Sequence, residues 1–172
     1  MLVMPVYDGT LLGMTCKGAV RRQIRYGRQT AIPWGISESG YNQLDSSQAY
    51  QYRAFGVPML GMKRGLADDI VIAPYASAMA LMVEPAEAVR NLQRLADAGV
   101  VGRFGLYEAV DYTPARVPAD KPFAIVRSWM AHHNGMCLLA FDHLLHGRPM
   151  QRRFMADLQL KSAALLLQER IP

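Results

Sequence analysis

Two short stretches carry residues able to do chemistry: "PWGISESGYN" (33–42) and "GLYEAVDYT" (105–113). Each places acidic residues among aromatics and glycine. Glu38 lies between Ser37 and Ser39, with Trp34 before it and Tyr41 after it; Glu108 and Asp111 lie between Tyr107 and Tyr112. Such a pairing suits a glycosidic bond. One carboxyl group can protonate the leaving oxygen, while a second attacks the sugar or activates the attacking hydroxyl. The rings of Trp34, Tyr41, Tyr107 and Tyr112 offer flat apolar faces to sugar C–H groups. The competing reading is that both glutamates cap helices or pair with arginines, and spacing does not separate the two.

Other candidates carry less. His132 and His133 in "MAHHNGM" are adjacent, and His143 lies on the same helical side as His132, but about 16 Å further along the axis. No single metal bridges that gap, so no metal and no cofactor is expected. A hydrogen-bonded core histidine is the default for His133, and contact with a sugar is the alternative for either residue. Ser37 and Ser39 lack the strand-turn-helix G-x-S-x-G setting of a nucleophile elbow. "FGVPMLGMKRG" lacks the G-K-[ST] ending of a phosphate-binding loop.

The scaffold is read from periodicity and breakers. The chain has 172 residues, 51% of them apolar and 19% charged, the profile of one folded domain. A helix is expected over 10–29, with Leu12, Cys16, Ala19, Gln23 and Tyr26 on one side and Lys17, Arg21, Arg25 and Arg28 on another. A short helix is expected near 46–54, and a brief extended piece at Ile70–Ile72. Pro74 and Pro85 each read as a first helical residue, with Gly99 as the second helix's stop. The strongest helical pattern runs from 124 to 146, apolar around most of its circumference and so expected to be buried on several sides. The tail from Pro149 to about 168 reads as one helix or two, re-capped at Asp157. The fold class is all-α, with about six helices and long loops.

Charge and cysteines exclude some classes. The net charge is +5. A solvated or partner-facing helix surface, together with the pairs Lys63–Arg64 and Arg152–Arg153, accounts for the excess. Nucleic acid is not an expected partner, because no basic-aromatic platform accompanies the charge. Cys16 and Cys137 are too few for a disulfide framework and read as buried apolar residues of a reducing compartment. No apolar run reaches the ~18 residues of a membrane span, and the N-terminus lacks a signal-peptide pattern, so a cytoplasmic chain is expected.

Several motifs in order resemble one family: "LVMPVYDGTLL", "RRQIRYGRQTAIPWGISESGYN", "YQYRAFGVPMLGMKRGLADDIVIAPYASAMALMVEPAEAVRNLQRL", "GRFGLYEAVDYTP", "VRSWMAHHNGM" and "LLLQERIP". They resemble the glucoamylase-like domain of cyclic β-1,2-glucan synthases, large enzymes of the bacterial inner membrane. The resemblance covers essentially residues 1–172. It implies one partial (α/α)6 toroid acting on β-1,2-glucan, by hydrolysis or by transglycosylation that closes a ring. It implies Glu38 as general acid/base, Glu108 as nucleophile and Asp111 as a supporting carboxylate. Trp34, Tyr41, Tyr107, His132 and His133 would line the subsites. The family usually has Gln at Asn134 and Ser at Cys137, which weakens polar contacts there. A whole toroid needs roughly twice the helices found here. The chain is therefore expected to be the C-terminal half, prone to self-association or to pairing with a missing half. The alternative is a non-catalytic remnant that at most binds glucan.

Overall fold

A computed structural model describes residues 1–61 and 65–170. The expected Lys63–Arg64 pair, and with it part of the glycine-punctuated stretch, lies outside them. Helix α1 spans Leu11–Thr30, opened by Thr10, whose hydroxyl accepts from the Gly13 N–H at 3.1 Å, and closed by Ala31 in the left-handed conformation. The hairpin strands β1 (Ser39–Leu44) and β2 (Tyr50–Arg53) follow, then β3 (Val71–Ile72). Helix α2 (Pro74–Met79) runs into a 3₁₀ turn, and α3 spans Pro85–Asp97. Both start on proline, as expected, and Gly99 (φ +82°) lies just beyond the end of α3.

Four short strands come next: β4 (Val101–Gly102), β5 (Gly105–Leu106), β6 (Ala109–Asp111) and β7 (Ala124–Val126). Helix α4 covers Ala131–Leu145, α5 Pro149–Phe154 and α6 Leu158–Ala163, which continues as 3₁₀ to Gln168. The tail is thus two α-helices, re-capped where Asp157 accepts from the N–H groups of Gln159 and Leu160.

The chain is mainly helical, but the all-α expectation is incomplete, because strands build the segments between the helices. Two segments differ from their expected form. Residues 50–53 are strand rather than helix: Asp45 accepts from the N–H groups of Ser47 and Ala49, turning the chain so that β2 pairs antiparallel with β1. Residues 124–126 are strand rather than the first turn of a long helix. Their β-branched Ile125 and Val126 lie opposite Val110 and Ala109, in a sheet of order β3-β6-β7. Periodicity alone cannot tell a strand from a helix in so short an apolar run.

The main core gathers on that sheet: Ile36, Phe55, Val57, Val71, Ile72, Leu95, Val100, Val110 and Val126 are buried. A second cluster sets Trp34 and Ile24 against Leu81 and Ala88, and a third sets Tyr75 and Ala78 of α2 against Cys137 of α4. Helix α1 docks through Gly13, Ile24 and Gly27 rather than through a face containing Leu12, which is 40% exposed. Gly27 is required there, since a Cβ would come within 2.8 Å of the Trp34 side chain. Three of the basic residues of α1 meet acidic partners: Arg21 and Arg28 reach Glu84 and Glu87, and Lys17 reaches Asp8.

Helix α4 buries one face only. His133, Cys137 and Ala140 are covered, whereas Leu138 is 67% and Leu145 73% exposed. Cys137 is buried as expected, while Cys16 is half-buried. Among the described residues, no helix is long and apolar enough to cross a membrane.

Candidate active site

The "PWG" segment is an anchor. Trp34 donates its N–H to Asn91 Oδ1 at 3.0 Å, and its carbonyl accepts from Ser77 Oγ and Asn91 Nδ2. Gly35 (φ +121°) leaves no room for a side chain, because a Cβ would fall 2.5 Å from Ser77 Oγ. Ile36 is held at both backbone groups by the Gln23 amide. Trp34 is 5% exposed within the second core cluster. It is therefore a packing residue, not the sugar platform expected, because its indole has no free face.

This anchoring delivers β1 to the second loop. Gly40 N–H donates to Glu108 Oε1 at 2.9 Å, and a Cβ on Gly40 would come within 3.1 Å of Glu108 Cγ. The Glu108 backbone is tied in turn to the Ser128 carbonyl. Its other oxygen, Oε2, lies 3.0 Å from His133 Nδ1. Glu108 and His133 are 5% and 3% exposed. The remaining imidazole nitrogen, Nε2, lies 3.3 Å from the Tyr52 hydroxyl, and the ring stacks on Tyr75 at 3.8 Å and 20°. With both nitrogens engaged and the ring covered, His133 is not the sugar contact expected. It faces Glu108 instead. His132 is exposed, its ring centroid 5.4 Å from that of His133.

Glu38 is exposed, and its backbone carbonyl accepts from the Tyr75 hydroxyl, which also pairs with Ser37 Oγ at 2.7 Å. Both acidic loops thus bear on the same two phenols. Burial and the charges of Glu38 and Glu108 push the Tyr52 hydroxyl up to about 12. Burial and the same two carboxylates raise Tyr75 as well, against the opposing Ser37 hydrogen bond. Burial, then Glu108, pushes the Cys137 thiol up to about 11.

Asp111 is fully buried and wholly committed. Its oxygens accept from the N–H groups of Asn42 and Thr113 and from both arms of the Arg116 fork, at 2.7 and 3.2 Å. Arg116 also reaches Asp69, which pairs with Arg53. The ring of Tyr41 lies against Phe55 and under both guanidinium groups. Asp111 and Tyr41 thus brace the back of the loops. Tyr107 is half-buried, its ring 4.9 Å from Trp129, which in turn meets Phe104 edge-on at 5.1 Å.

Sequence reasoning missed Tyr52, Tyr75 and Trp129. The alternation "YQYR" after the turn residues "DSSQ" was the available signal for a hairpin carrying Tyr52. Tyr75 and Trp129 gave none beyond helical spacing.

Together, the fold and site define a mainly helical module whose two acidic inter-helix loops meet at the Gly40–Glu108 hydrogen bond. The chain belongs to the Glycoamylase family, described as "putative glucoamylase", whose model matches residues 15–157. It is 45% identical over 171 residues to the cyclic β-(1,2)-glucan synthase NdvB of Rhizobium meliloti (strain 1021), covering 99% of this chain and 6% of that protein. Among solved structures, it is similar to a β-1,2-glucanase from Parabacteroides distasonis (TM-score 0.61, 15% identity, 91% of this chain and 20% of that one). It is also similar to an endo-β-1,2-glucanase from Chitinophaga pinensis (TM-score 0.52, 16% identity, 87% and 32%). The chain thus spans a small part of each of these relatives.

Proposed function

We propose that this chain is a β-1,2-glucan-processing module, part of an (α/α)6 toroid, in which Glu38 and Glu108 act on the glycosidic bond. The observation that carries the reading is the convergence of the two loops: Gly40 of the first donates to Glu108 of the second, and Tyr75, whose hydroxyl donates to the Glu38 carbonyl, stacks on His133, which faces Glu108. Glu38, exposed, protonates the leaving oxygen. Glu108 attacks the anomeric carbon, and the resulting glycosyl ester is released to an acceptor hydroxyl whose proton returns to Glu38. With water as acceptor the outcome is hydrolysis; with a sugar hydroxyl it is transfer, including ring closure. The 45% identity to a cyclic glucan synthase supports β-1,2-glucan as the substrate. His132 and Tyr107, at the margins of the loops, are the remaining subsite candidates.

The test is product analysis after incubating the purified chain with linear β-1,2-glucan, beside Glu38→Gln and Glu108→Gln. Shorter or cyclic products that vanish in both variants support the reading. A folded chain giving none overturns it in favour of a glucan-binding remnant, which the low exposure of Glu108 favours.

A further inference from the structure

The Glu108–His133–Tyr52 chain has a direction. We infer that His133 is a positioning residue that holds Glu108 as an ionised carboxylate in one orientation, with Tyr52 holding His133 in the tautomer that does so. This assigns the proton-carrying task to Glu38, and it rests on the carboxylate pair proposed above.

The backbone N–H of Gly40 can only donate, so Glu108 Oε1 is an acceptor. Oε2 faces Nδ1 at 3.0 Å, and one proton lies between them. Its owner is decided at the far side of the imidazole. The Tyr52 phenol remains protonated through neutral pH and lies 3.3 Å from Nε2, where its hydrogen can point at the ring nitrogen. A neutral imidazole accepting at Nε2 carries its hydrogen at Nδ1, where it points at Oε2. An imidazolium would also present N–H to Oε2. Only an Nε2–H tautomer would leave the proton on Glu108; Tyr52 would then turn its hydrogen away and accept, and the shared proton would sit on a carboxyl group, in general a stronger acid than an imidazolium.

The surroundings agree. Tyr75 of α2, Cys137 of α4, His132, Glu38 and Glu108 are the other titratable groups around His133. Cys137 is kept a neutral thiol by burial, and Tyr75 a neutral phenol. Burial leaves little room for water to replace either hydrogen bond of Glu108. The stack on Tyr75 fixes the ring plane, and Tyr75 is itself fixed by Ser37 and the Glu38 carbonyl. Glu38, by contrast, is exposed, and no hydrogen bond to its carboxylate forms among the described residues.

The decisive measurement is NMR on the ¹⁵N-histidine, ¹³C-glutamate-labelled chain at neutral pH. His133 is expected as a single form protonated at Nδ1, with His132 averaging between tautomers beside it, and the Glu108 carboxyl resonance at the ionised position. Tyr52→Phe removes one hydroxyl from a partly exposed side chain and is expected to convert His133 to a tautomer mixture. His133→Asn, which can place an amide N–H near the Nδ1 position, should keep the Glu108 resonance where it was, and His133→Leu should move it. An Nε2–H tautomer in the unmodified chain, a protonated Glu108, or a tautomer unchanged in Tyr52→Phe overturns the inference. Should His133→Leu fail to fold, Tyr52→Phe alone still decides. None of these readouts depends on turnover, so an intact tautomer with no glucan products would defeat the proposed function and leave this inference standing.

Discussion

The backbone N–H of Gly40 meets the Glu108 carboxylate at 2.9 Å, so one hydrogen bond ties the first acidic loop to the catalytic candidate of the second. A side chain here would crowd this approach, since a Cβ would lie 3.1 Å from Glu108 Cγ. Gly40→Ala is expected to displace Glu108 by a few tenths of an ångström. It should lower kcat on β-1,2-glucan by about 10-fold or more while KM changes little, because positioning is lost rather than binding. Unchanged kcat in a folded variant would count against a role for this contact.

Replacing either glutamate should leave the fold intact and remove the chemistry. Glu38→Gln and Glu108→Gln are each expected to reduce turnover by about 10²–10⁴-fold or more. Circular dichroism checks the fold, and retained glucan binding separates lost chemistry from a lost site.

Asp111 and Arg116 should behave as a structural clamp. Arg116→Met strands a fully buried carboxylate, at a cost of about 3–5 kcal/mol. For a chain of this size that corresponds to a Tm lower by on the order of 10 °C. Asp111→Asn should destabilise less and leave per-molecule turnover near normal at low temperature. A large kcat loss at full stability would instead make Asp111 a participant in the reaction.

Alkali should destabilise the fold through Tyr52 and Cys137. Both groups are held neutral in the folded chain, Tyr52 up to about 12 and Cys137 up to about 11. The unfolded forms ionise near 10.0 and 9.0, so the unfolded state loses protons first as pH rises. The associated stability is present below pH 9 and falls from there towards 12. Tyr52→Phe should flatten the upper part of that slope in denaturation measured against pH. Buried Cys137 should also react with alkylating reagents far more slowly than Cys16.

Leu138 and Leu145 on α4, with Leu158, Leu165 and Leu166 nearer the C-terminus, present apolar side chains to solvent. The chain is therefore expected to self-associate at micromolar concentration or above. Sedimentation should show Leu138→Lys combined with Leu145→Glu shifting the distribution towards monomer. A monodisperse wild-type monomer that melts cooperatively would remove the proposal.

Much of the helical scaffold was legible from the chain alone. Pro74, Pro85, Gly99 and Asp157 set helix ends by local chemistry, through a preset φ, a left-handed stop and a carboxylate cap. The two acidic loops were also visible, because Glu38 and Glu108 stand out by type and neighbours. Three things were decided only in the tertiary structure. Residues 124–126 became strand because β6 offered a partner, and local spacing carries no information about a partner thirteen or more residues away. Trp34 became a packing residue because Ile24, Leu81 and Ala88 cluster with it, and Tyr41 because Phe55 and the Arg53 and Arg116 guanidinium groups lie against its ring. Glu108 acquired its directed neighbours, Gly40, His133 and through it Tyr52, from three separate stretches. Residue type sets what a side chain can do; which groups meet it, and so which proton it keeps, follows from packing.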